Sequence, residues 1–100
     1  MTLSVRDVEA QNRFEAWEDG RLAGFAEYLR SDQLVVYPHT VVEPAYEGRG
    51  IGSALARAAL DDARARGLAV LATCPFTKGW MLRHPEYTDL AYENRSRVAD

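Results

Sequence analysis

Residues 41–53 read Val41-Val42-Glu43-Pro44-Ala45-Tyr46-Glu47-Gly48-Arg49-Gly50-Ile51-Gly52-Ser53, and they join an apolar β-branched segment to a helical one. Three glycines at alternate positions form the junction. Glycines let the backbone approach a ligand closely, and the following helix offers unpaired N–H groups and the positive end of its dipole. The segment therefore predicts a strand, an anion-binding loop and a helix, with a phosphate or pyrophosphate as ligand.

Two familiar phosphate loops do not fit this segment. A Walker loop needs Gly-Lys followed by Ser or Thr, whereas Gly50 is followed by Ile51. The dinucleotide fingerprint Gly-x-Gly-x-x-Gly, started at Gly48, requires a glycine where Ser53 stands. It also requires an acidic residue about twenty positions later, and the region around Leu71 has none. ATP and nicotinamide cofactors are therefore disfavoured.

The loop resembles motif A of the GCN5-related N-acetyltransferases (GNAT superfamily), in which a strand is followed by (Arg/Gln)-x-x-Gly-x-(Gly/Ala) and a long helix. Here the motif reads Glu47-Gly48-Arg49-Gly50-Ile51-Gly52. Glu47 stands where Arg or Gln is usual, and its carboxylate should weaken pyrophosphate binding unless Arg49 or another cation pairs with it.

The resemblance extends from about Phe14 to Leu90. Its further elements are Pro38-His39-Thr40-Val41, Cys74-Pro75-Phe76 and Arg83-His84-Pro85-Glu86-Tyr87. Together they resemble the short, single-domain GNAT-like family sometimes called YjdJ-like. The resemblance implies that acetyl-CoA or coenzyme A is the cofactor. The residues that it places at the coenzyme are Val41, Val42, Gly48, Arg49, Gly50, Ile51, Gly52, Ser53, Pro75 and Lys78.

Hydrophobic periodicity predicts the N-terminal half of the sheet. Apolar residues alternate with polar ones between Val8 and Ala16, which predicts one half-buried strand. Asp19-Gly20 predicts a tight turn into an antiparallel strand over residues 21–30. After a turn at residues 31–33, Leu34 to Val42 form a strand with a bulge or bend at Pro38, which cannot donate to a ladder.

The C-terminal half predicts two helices and a parallel strand. A helix begins at Ile51 and ends at Gly67, residues 68–73 return as a strand parallel to the one before the loop, and a shorter helix runs from Pro75 to before Pro85. The fold class is therefore α/β (α+β): a reduced GNAT-like fold whose mixed sheet has antiparallel strands plus one parallel strand. We expect one domain over residues 1–100, with residues 91–100 as a frayed tail.

Composition narrows the class of protein independently. A chain of 100 residues is long enough for one core, and a net charge of −3 with a pI of about 5.3 argues against nucleic acid as partner. The N-terminus has no apolar signal region, and no segment approaches the roughly 18 apolar residues of a membrane span, so we expect a cytoplasmic protein without a membrane partner. The single cysteine excludes a disulfide framework, and we expect no metal site.

Two residues are candidates for catalysis. If Pro75 begins a helix, Cys74 is its N-cap residue, where the helix dipole and free N–H groups lower the pKa of a thiol. The family fold implies that Cys74 lies near the acyl thioester as a nucleophile or proton donor, and the alternative is a small buried residue. His39 precedes the bend in its strand, where it would deprotonate an amine or pair with Cys74, or serve structure alone.

Other polar and aromatic residues have two interpretations each. Met81 stands where many members of the superfamily place a tyrosine that protonates the departing thiolate, so Cys74 or a water would supply that proton. Lys78 and Arg83 are candidates for the coenzyme phosphates or solvated surface residues. Trp17, Trp80 and Tyr87 line an acyl or acceptor pocket or belong to the core.

The resemblance implies an acetyl-CoA-dependent N-acetyltransferase. It would transfer an acetyl or short acyl group from CoA to an amine, directly or through an acyl group on Cys74. The acceptor is a small molecule or a protein, and a homodimer is compatible with this interpretation. The alternative is a CoA-binding or protein-interaction module with little or no catalysis, which Glu47 and the absent tyrosine favour.

Overall fold

The sheet has five strands in a computed structural model that describes residues 2–95, with the backbone alone for residues 94 and 95. In chain order the strands are β1 (Leu3–Val8), β2 (Arg13–Glu18), β3 (Arg21–Arg30), β4 (Leu34–Val42) and β5 (Ala69–Ala72). Neighbours pair antiparallel from β1 to β4, and β5 pairs parallel to β4. This confirms the predicted mixed sheet with one parallel strand.

The two predicted helices are present, one between β4 and β5 and one after β5, and a short third helix was not predicted. The helices are α1 (Ile51–Arg66), α2 (Pro75–Arg83) and α3 (Tyr92–Arg95), with 3₁₀ turns at Glu9–Gln11, Pro44–Tyr46 and Pro85–Leu90. The residue after α1 is Gly67, at a φ of 71°, whose N–H closes the helix on the carbonyl groups of Ala63 and Arg64. A left-handed glycine is a common way to end a helix.

The prediction of one strand over residues 8–16 is wrong. Val8 ends β1, the chain turns at Glu9–Gln11, and β2 begins at Arg13. The turn closes at Asn12, which has a φ of 53°, a left-handed conformation that asparagine tolerates better than most residues. The alternation of apolar and polar residues continues across this turn, although its two ends belong to different strands. The sheet therefore has one more antiparallel strand than the periodicity indicated.

The hairpin between β2 and β3 turns where the sequence predicted. Asp19 and Gly20 have φ values of 51° and 81°. Two successive left-handed residues match the twist of antiparallel strands and define a type I′ turn. The turn sets the register that opposes Glu18 to Arg21.

The predicted irregularity at Pro38 is present as a bulge in β4. Glu27 faces His39 and Leu29 faces Val36, so β4 carries one extra residue at Tyr37–Pro38. Pairing with β5 covers β4 only up to Tyr37. Beyond that point, up to Val42, the edge of β4 that faces β5 has no strand partner within residues 2–95, and a cleft opens between the two strands.

The helix α1 covers one face of the sheet. Its buried side chains include Ile51, Leu55 and Leu60, and they join a core with Phe14 and Tyr37. The Tyr37 hydroxyl donates to the carbonyl oxygen of Ala59 at 2.7 Å, which fixes α1 over the middle of β4.

The opposite face of the sheet is partly exposed and carries stacked charged and aromatic side chains. The guanidinium of Arg6 lies 4.9 Å from the ring centre of Trp17, and that of Arg13 lies 4.3 Å from that of Phe25. Glu15 is buried beneath them and accepts hydrogen bonds from Arg13 and Trp17.

The end of the described chain is placed against β5. Ala91 forms an isolated parallel bridge with Val70, and α3 follows it, which differs from the expected fraying of residues 91–95. The expectation for residues 96–100 lies outside the described residues. No helix within residues 2–95 is long and apolar enough to cross a membrane.

Candidate active site

The loop before α1 has the backbone conformation that its glycines predicted. Gly48 and Gly50 have φ values of 80° and 79°, in the left-handed region that other L-residues rarely adopt. They flank Arg49 and turn the chain from the 3₁₀ turn at Pro44–Tyr46 into α1. Gly50 is the N-cap residue, and no side chain caps the helix.

The N–H groups of this loop are unpaired. The N–H of Ala54 donates to the carbonyl oxygen of Gly50 at 3.0 Å, which is the first hydrogen bond of α1. The N–H groups of residues 48–53 donate to no backbone or side-chain acceptor among the residues that the structure describes. A run of free amides at the positive end of a helix dipole is a binding site for an anion.

An open cavity of about 370 Å³ lies against these amides. It is lined by Val42, Tyr46, Glu47, Gly48, Gly50, Ile51, Gly52, Ser53 and Phe76. The volume is in the range of small-ligand sites. The cavity brings together most of the residues predicted to bind the coenzyme, and the loop fits a pyrophosphate because its amides are free and face open space.

The side chain of Arg49 pairs with Glu18 and not with Glu47, so it does not offset the Glu47 charge in the way that the sequence left open. Its Nη1 lies 2.7 Å from Oε2 of Glu18 in β2, and Glu18 is only 2% exposed. None of the ion pairs of the described residues includes Glu47, which lines the cavity. The Arg49 side chain therefore links the loop to β2.

The helix α2 packs on the first turn of α1. A Cβ atom on Gly52 would lie 2.7 Å from Cζ of Phe76, so a larger residue would displace that ring. Trp80 Nε1 donates to Oγ of Ser53 at 3.1 Å, which leaves the Ser53 hydroxyl proton available to an acceptor in the cavity. The contact of Phe76 with Gly52 and the hydrogen bond from Trp80 to Ser53 depend on tertiary packing and were not predicted, since the sequence indicated Trp80 only as a pocket or core residue.

Cys74 lies between the end of β5 and the first turn of α2, as predicted. It is the N-cap residue of α2 and is 6% exposed, and its N–H donates to the carbonyl oxygen of Tyr37 at 3.1 Å. This bond places it where β4 and β5 begin to part.

Two opposing influences set the pKa of the Cys74 thiol. Burial is the largest, and it raises the pKa. The N–H groups of Thr77 and Phe76 and the hydroxyl groups of Thr40 and Thr77 lie around the sulfur and together outweigh burial, so the pKa is lowered.

His39 does not lie with Cys74. It is exposed on the sheet face opposite α1, opposes Glu27 across the β3–β4 pair, and its ring centre lies 6.5 Å from that of Phe25. Thr40, the next residue, points to the other face and contacts Cys74. The structure therefore replaces the suggested His39–Cys74 pair with a Thr40–Cys74 contact.

Four residues predicted to bind the coenzyme do not line the loop cavity, and one of them is Arg49, whose side chain pairs with Glu18. Lys78 lines a separate cavity of about 210 Å³ with Met81 and Leu82. Val41 points to the sheet face opposite α1, and Pro75 is the exposed first residue of α2.

Most of the aromatic candidates belong to the core. Trp80 and Tyr87 are buried, and Met81 is 6% exposed. The Trp80 ring stacks on His84 at 3.6 Å between centres, and Nδ1 of His84 lies 2.7 Å from the carbonyl oxygen of Trp80. His84 is therefore the anchor of the chain after α2, and Trp17 lies on the partly exposed sheet face, away from the loop.

Comparison with known proteins identifies a family. Residues 13–90 match the family described as GCN5-related N-acetyl-transferase. A search of curated proteins gives no match. A GCN5-like putative N-acetyltransferase from Staphylococcus aureus has a solution structure that is 24% identical, with a TM-score of 0.67 over 89% of this chain and 87% of that one.

Two further solved structures share the fold over part of their length. Ard1 from Thermoplasma volcanium is 21% identical, with a TM-score of 0.57 over 64% of this chain and 45% of that chain. AAC(6')-Iy, in complex with the bisubstrate analog CoA-S-monomethyl-acetylneamine, is 22% identical, with a TM-score of 0.54 over 76% of this chain and 59% of that chain. This chain therefore spans less than two thirds of the length of either protein, and the likenesses show a common fold.

Proposed function

Because the chain belongs to the GCN5-related N-acetyl-transferase family, whose acyl donor is acetyl-CoA, we propose that it transfers an acetyl group from acetyl-CoA to an amine. The assignment to the YjdJ-like branch of that superfamily stays a prediction. We further propose that the protein works in the cytoplasm on a soluble amine, without nucleic acid or membrane as partner, in keeping with its net charge of −3.

The observation that carries this proposal is the set of free amides at residues 48–53, which face an open cavity. A pyrophosphate accepts hydrogen bonds from such amides and is stabilised by the dipole of α1. The Ser53 hydroxyl, oriented by Trp80, supplies a further donor. Glu47 is the opposing charge at this site, and we expect it to limit the affinity.

The cleft between β4 and β5 supports a second part of the proposal. The edge of β4 from Pro38 to Val42 that faces β5 has no strand partner in the described part of the chain. Free backbone groups on a strand edge pair readily with the amides of an extended ligand. The amide-bearing arm of CoA would lie along this edge between the loop and Cys74, with Val42 in the wall of the loop cavity.

Cys74 is the residue of this cleft that is suited to chemistry. When bound, acetyl-CoA supplies a thioester whose carbonyl carbon accepts a nucleophile. The chain provides a thiol with a lowered pKa, held by Thr40 and Thr77, which would donate a proton from Sγ to the departing thiolate or take the acyl group itself. Met81 is buried and has no ionisable group, so it cannot fill the first role.

A thiol-release assay with acetyl-CoA and a panel of amines, read together with calorimetry of CoA binding, tests the proposal. We expect release of CoA that depends on the amine, and an acetylated amine in the mass spectrum. Binding without release would favour the alternative of a CoA-binding module, and failure of CoA to bind would overturn the proposal. Cys74→Ala separates the two mechanisms: loss of transfer with unchanged CoA binding supports a role of the thiol, and full activity indicates direct attack.

A further inference from the structure

The helix α1 carries three arginines, and only two of them pair with carboxylates. Arg64 and Arg66 form ion pairs at 2.9 Å and 2.8 Å. No ion pair of the described residues includes Arg57. Its Nη1 donates to the Tyr87 hydroxyl at 3.3 Å. A guanidinium has several N–H donors, so most of those of Arg57 are available to a ligand.

The nearest carboxylate along α1 does not pair with Arg57. Asp61 lies one turn further on and accepts the Tyr87 hydroxyl at 2.7 Å. It forms no ion pair with any of the described residues. An exposed arginine without a carboxylate is ordinary by itself, and the position of Arg57 is what points to a ligand.

Arg57 lies beside the coenzyme loop. It follows Ser53, which lines the loop cavity, by four residues, and residues at this spacing are neighbours on a helix. Long side chains of a helix extend toward its N-terminus, which here is the loop. The guanidinium lies 5.3 Å from the ring centre of Trp80, and Trp80 Nε1 donates to Ser53 Oγ at 3.1 Å. One indole ring therefore contacts both the cavity wall and the guanidinium.

Aromatic rings hold the Arg57 guanidinium in place. Trp80 and Tyr87 are buried, and the guanidinium lies 5.3 Å and 6.0 Å from their ring centres. The Trp80 ring is itself stacked on His84. A guanidinium that already rests on fixed rings loses less conformational entropy when it binds a ligand. Its outer side stays open to solvent, because Arg57 is exposed.

The loop cavity itself has no cation in its wall. None of the described residues that line it is basic, and Glu47 adds a negative charge. Arg49 is committed to Glu18. The amides can hold a pyrophosphate through hydrogen bonds and the helix dipole, but they supply no full positive charge. A ligand with a further phosphate would gain from the cation one turn along α1.

Coenzyme A has this arrangement of charges, because its ribose carries the pyrophosphate on C5′ and a further phosphate on C3′. We propose that Arg57 binds the 3′-phosphate while the amides of residues 48–53 bind the pyrophosphate. A helical turn is about 5.4 Å long, so the two sites lie within the reach of one ribose and its phosphates. The planar guanidinium can donate two parallel hydrogen bonds to phosphate oxygens. The inference rests on the proposed function and makes Arg57 the residue that distinguishes CoA from dephospho-CoA.

Calorimetry with CoA and dephospho-CoA, which lacks only the 3′-phosphate, tests this site at low ionic strength. The wild type should bind CoA at least about tenfold more tightly than dephospho-CoA. Added salt should reduce this difference, because exposed charges are screened. Equal affinities for the two coenzymes at low ionic strength would overturn the proposal.

Two variants with the same change of charge sharpen the test. Arg57→Gln should weaken CoA binding about tenfold and change dephospho-CoA binding less than about twofold, so dephospho-CoA also reports whether the variant is folded. Arg64→Gln, about two turns further along α1, should change both affinities less than about twofold. Arg57→Lys keeps the charge and should restore part of the preference for CoA. A preference that survives in Arg57→Gln would overturn the role of Arg57.

Kinetics with acetyl-CoA and acetyl-dephospho-CoA distinguish failure of this site from failure of the proposed function. If transfer occurs, the KM of the wild type should be at least about tenfold higher for acetyl-dephospho-CoA, and that of Arg57→Gln should be similar for both donors. Transfer with equal KM values in the wild type would overturn the phosphate site and sustain the acetyltransferase. An Arg57-dependent preference for CoA, in a wild type that transfers nothing, would sustain the site and overturn the acetyltransferase. Failure to bind either coenzyme would overturn both.

Discussion

Cys74 shows how one residue can be predicted while its surroundings cannot. The order Thr73-Cys74-Pro75 suffices to place a thiol at a helix N-terminus, because Pro75 favours the first helical position. Thr77 is the third residue of the helix that Cys74 caps, so it lies near the thiol by local helix geometry. Thr40, which also helps to lower the pKa of that thiol, reaches it only through the packing of β4, and no local pattern marks it.

The lowered pKa of Cys74 predicts fast alkylation. The thiolate is the reactive form, so a lowered pKa moves the rise of the alkylation rate to lower pH than in a free cysteine peptide. We expect iodoacetamide to react faster with Cys74 than with such a peptide near neutral pH, and CoA to slow the reaction. Thr40→Val should raise the pKa and shift the pH profile upward. A profile that Thr40→Val does not move would contradict the role assigned to that hydroxyl.

Two glycines with the same strain allow a controlled test of the coenzyme loop. Gly50 and Gly20 have φ values of 79° and 81°, and a Cβ on either would meet no atom within 4 Å. Gly50→Ala and Gly20→Ala should therefore each destabilise the fold by about 1 kcal/mol. Only Gly50→Ala places a methyl group in the loop cavity, so it alone should weaken CoA binding, by about tenfold or 1.4 kcal/mol in calorimetry. Equal CoA affinity in the two variants would argue against this loop.

At the scale of elements, the ion pair between Arg49 and Glu18 joins the coenzyme loop to β2. Glu18 is almost fully buried, whereas the Arg49 side chain is half exposed. Arg49→Met leaves a buried carboxylate unpaired, and we expect a loss of about 1–3 kcal/mol in urea unfolding together with weaker CoA binding. The matched control is Arg21→Met, at an exposed position of the same hairpin.

A double variant completes this test of the ion pair. Adding Glu18→Gln to Arg49→Met removes the buried charge, so the double variant should be more stable than Arg49→Met alone. Additive losses would instead show that the two residues act independently and that the pair does not hold the loop.

The elements that the sequence predicted best are those with strong local signals. The turn at Asp19-Gly20, the loop and α1 each carry glycines at positions that require a left-handed φ. The strand β1 carries no such signal, because it lies at the edge of the sheet with exposed residues and the turn after it contains neither Gly nor Pro. Asn12 was the one usable clue, since asparagine is enriched in left-handed conformations.

At the scale of the molecule, the cavity that Lys78 lines could not be predicted from the order of residues alone. Lys78 lies only four residues after Cys74 but on a part of α2 that faces a different cavity. The coenzyme loop was predicted from one continuous segment, whereas a cavity beside the bulge of β4 combines three separate segments: the turn before β2, the middle of β3 and the bulge itself. Such a site becomes visible only when the sheet brings those segments together.

Binding of CoA should stabilise the whole domain. A ligand that binds only the folded chain at a hundred times its Kd adds about 2.7 kcal/mol to the free energy of unfolding. For a domain of this size, 1 kcal/mol corresponds to about 4–8 °C in Tm, so thermal unfolding should move up by roughly 10 °C or more. Gly50→Ala should show a smaller shift than Gly20→Ala at the same CoA concentration, and identical shifts would contradict binding at the loop.

The strands of the described sheet stand in the same order as they occur along the chain. From β1 to β4, each strand can therefore pair with the one just formed, through a short connection whose closure costs little entropy. The parallel pairing of β5 with β4 is different, because it must wait for α1 to bridge them. We expect strands β1 to β4 to pair over a low free-energy barrier, and β5 to dock on β4 in a slower final step. The cleft beside Cys74 would then be the last part of the molecule to form during folding.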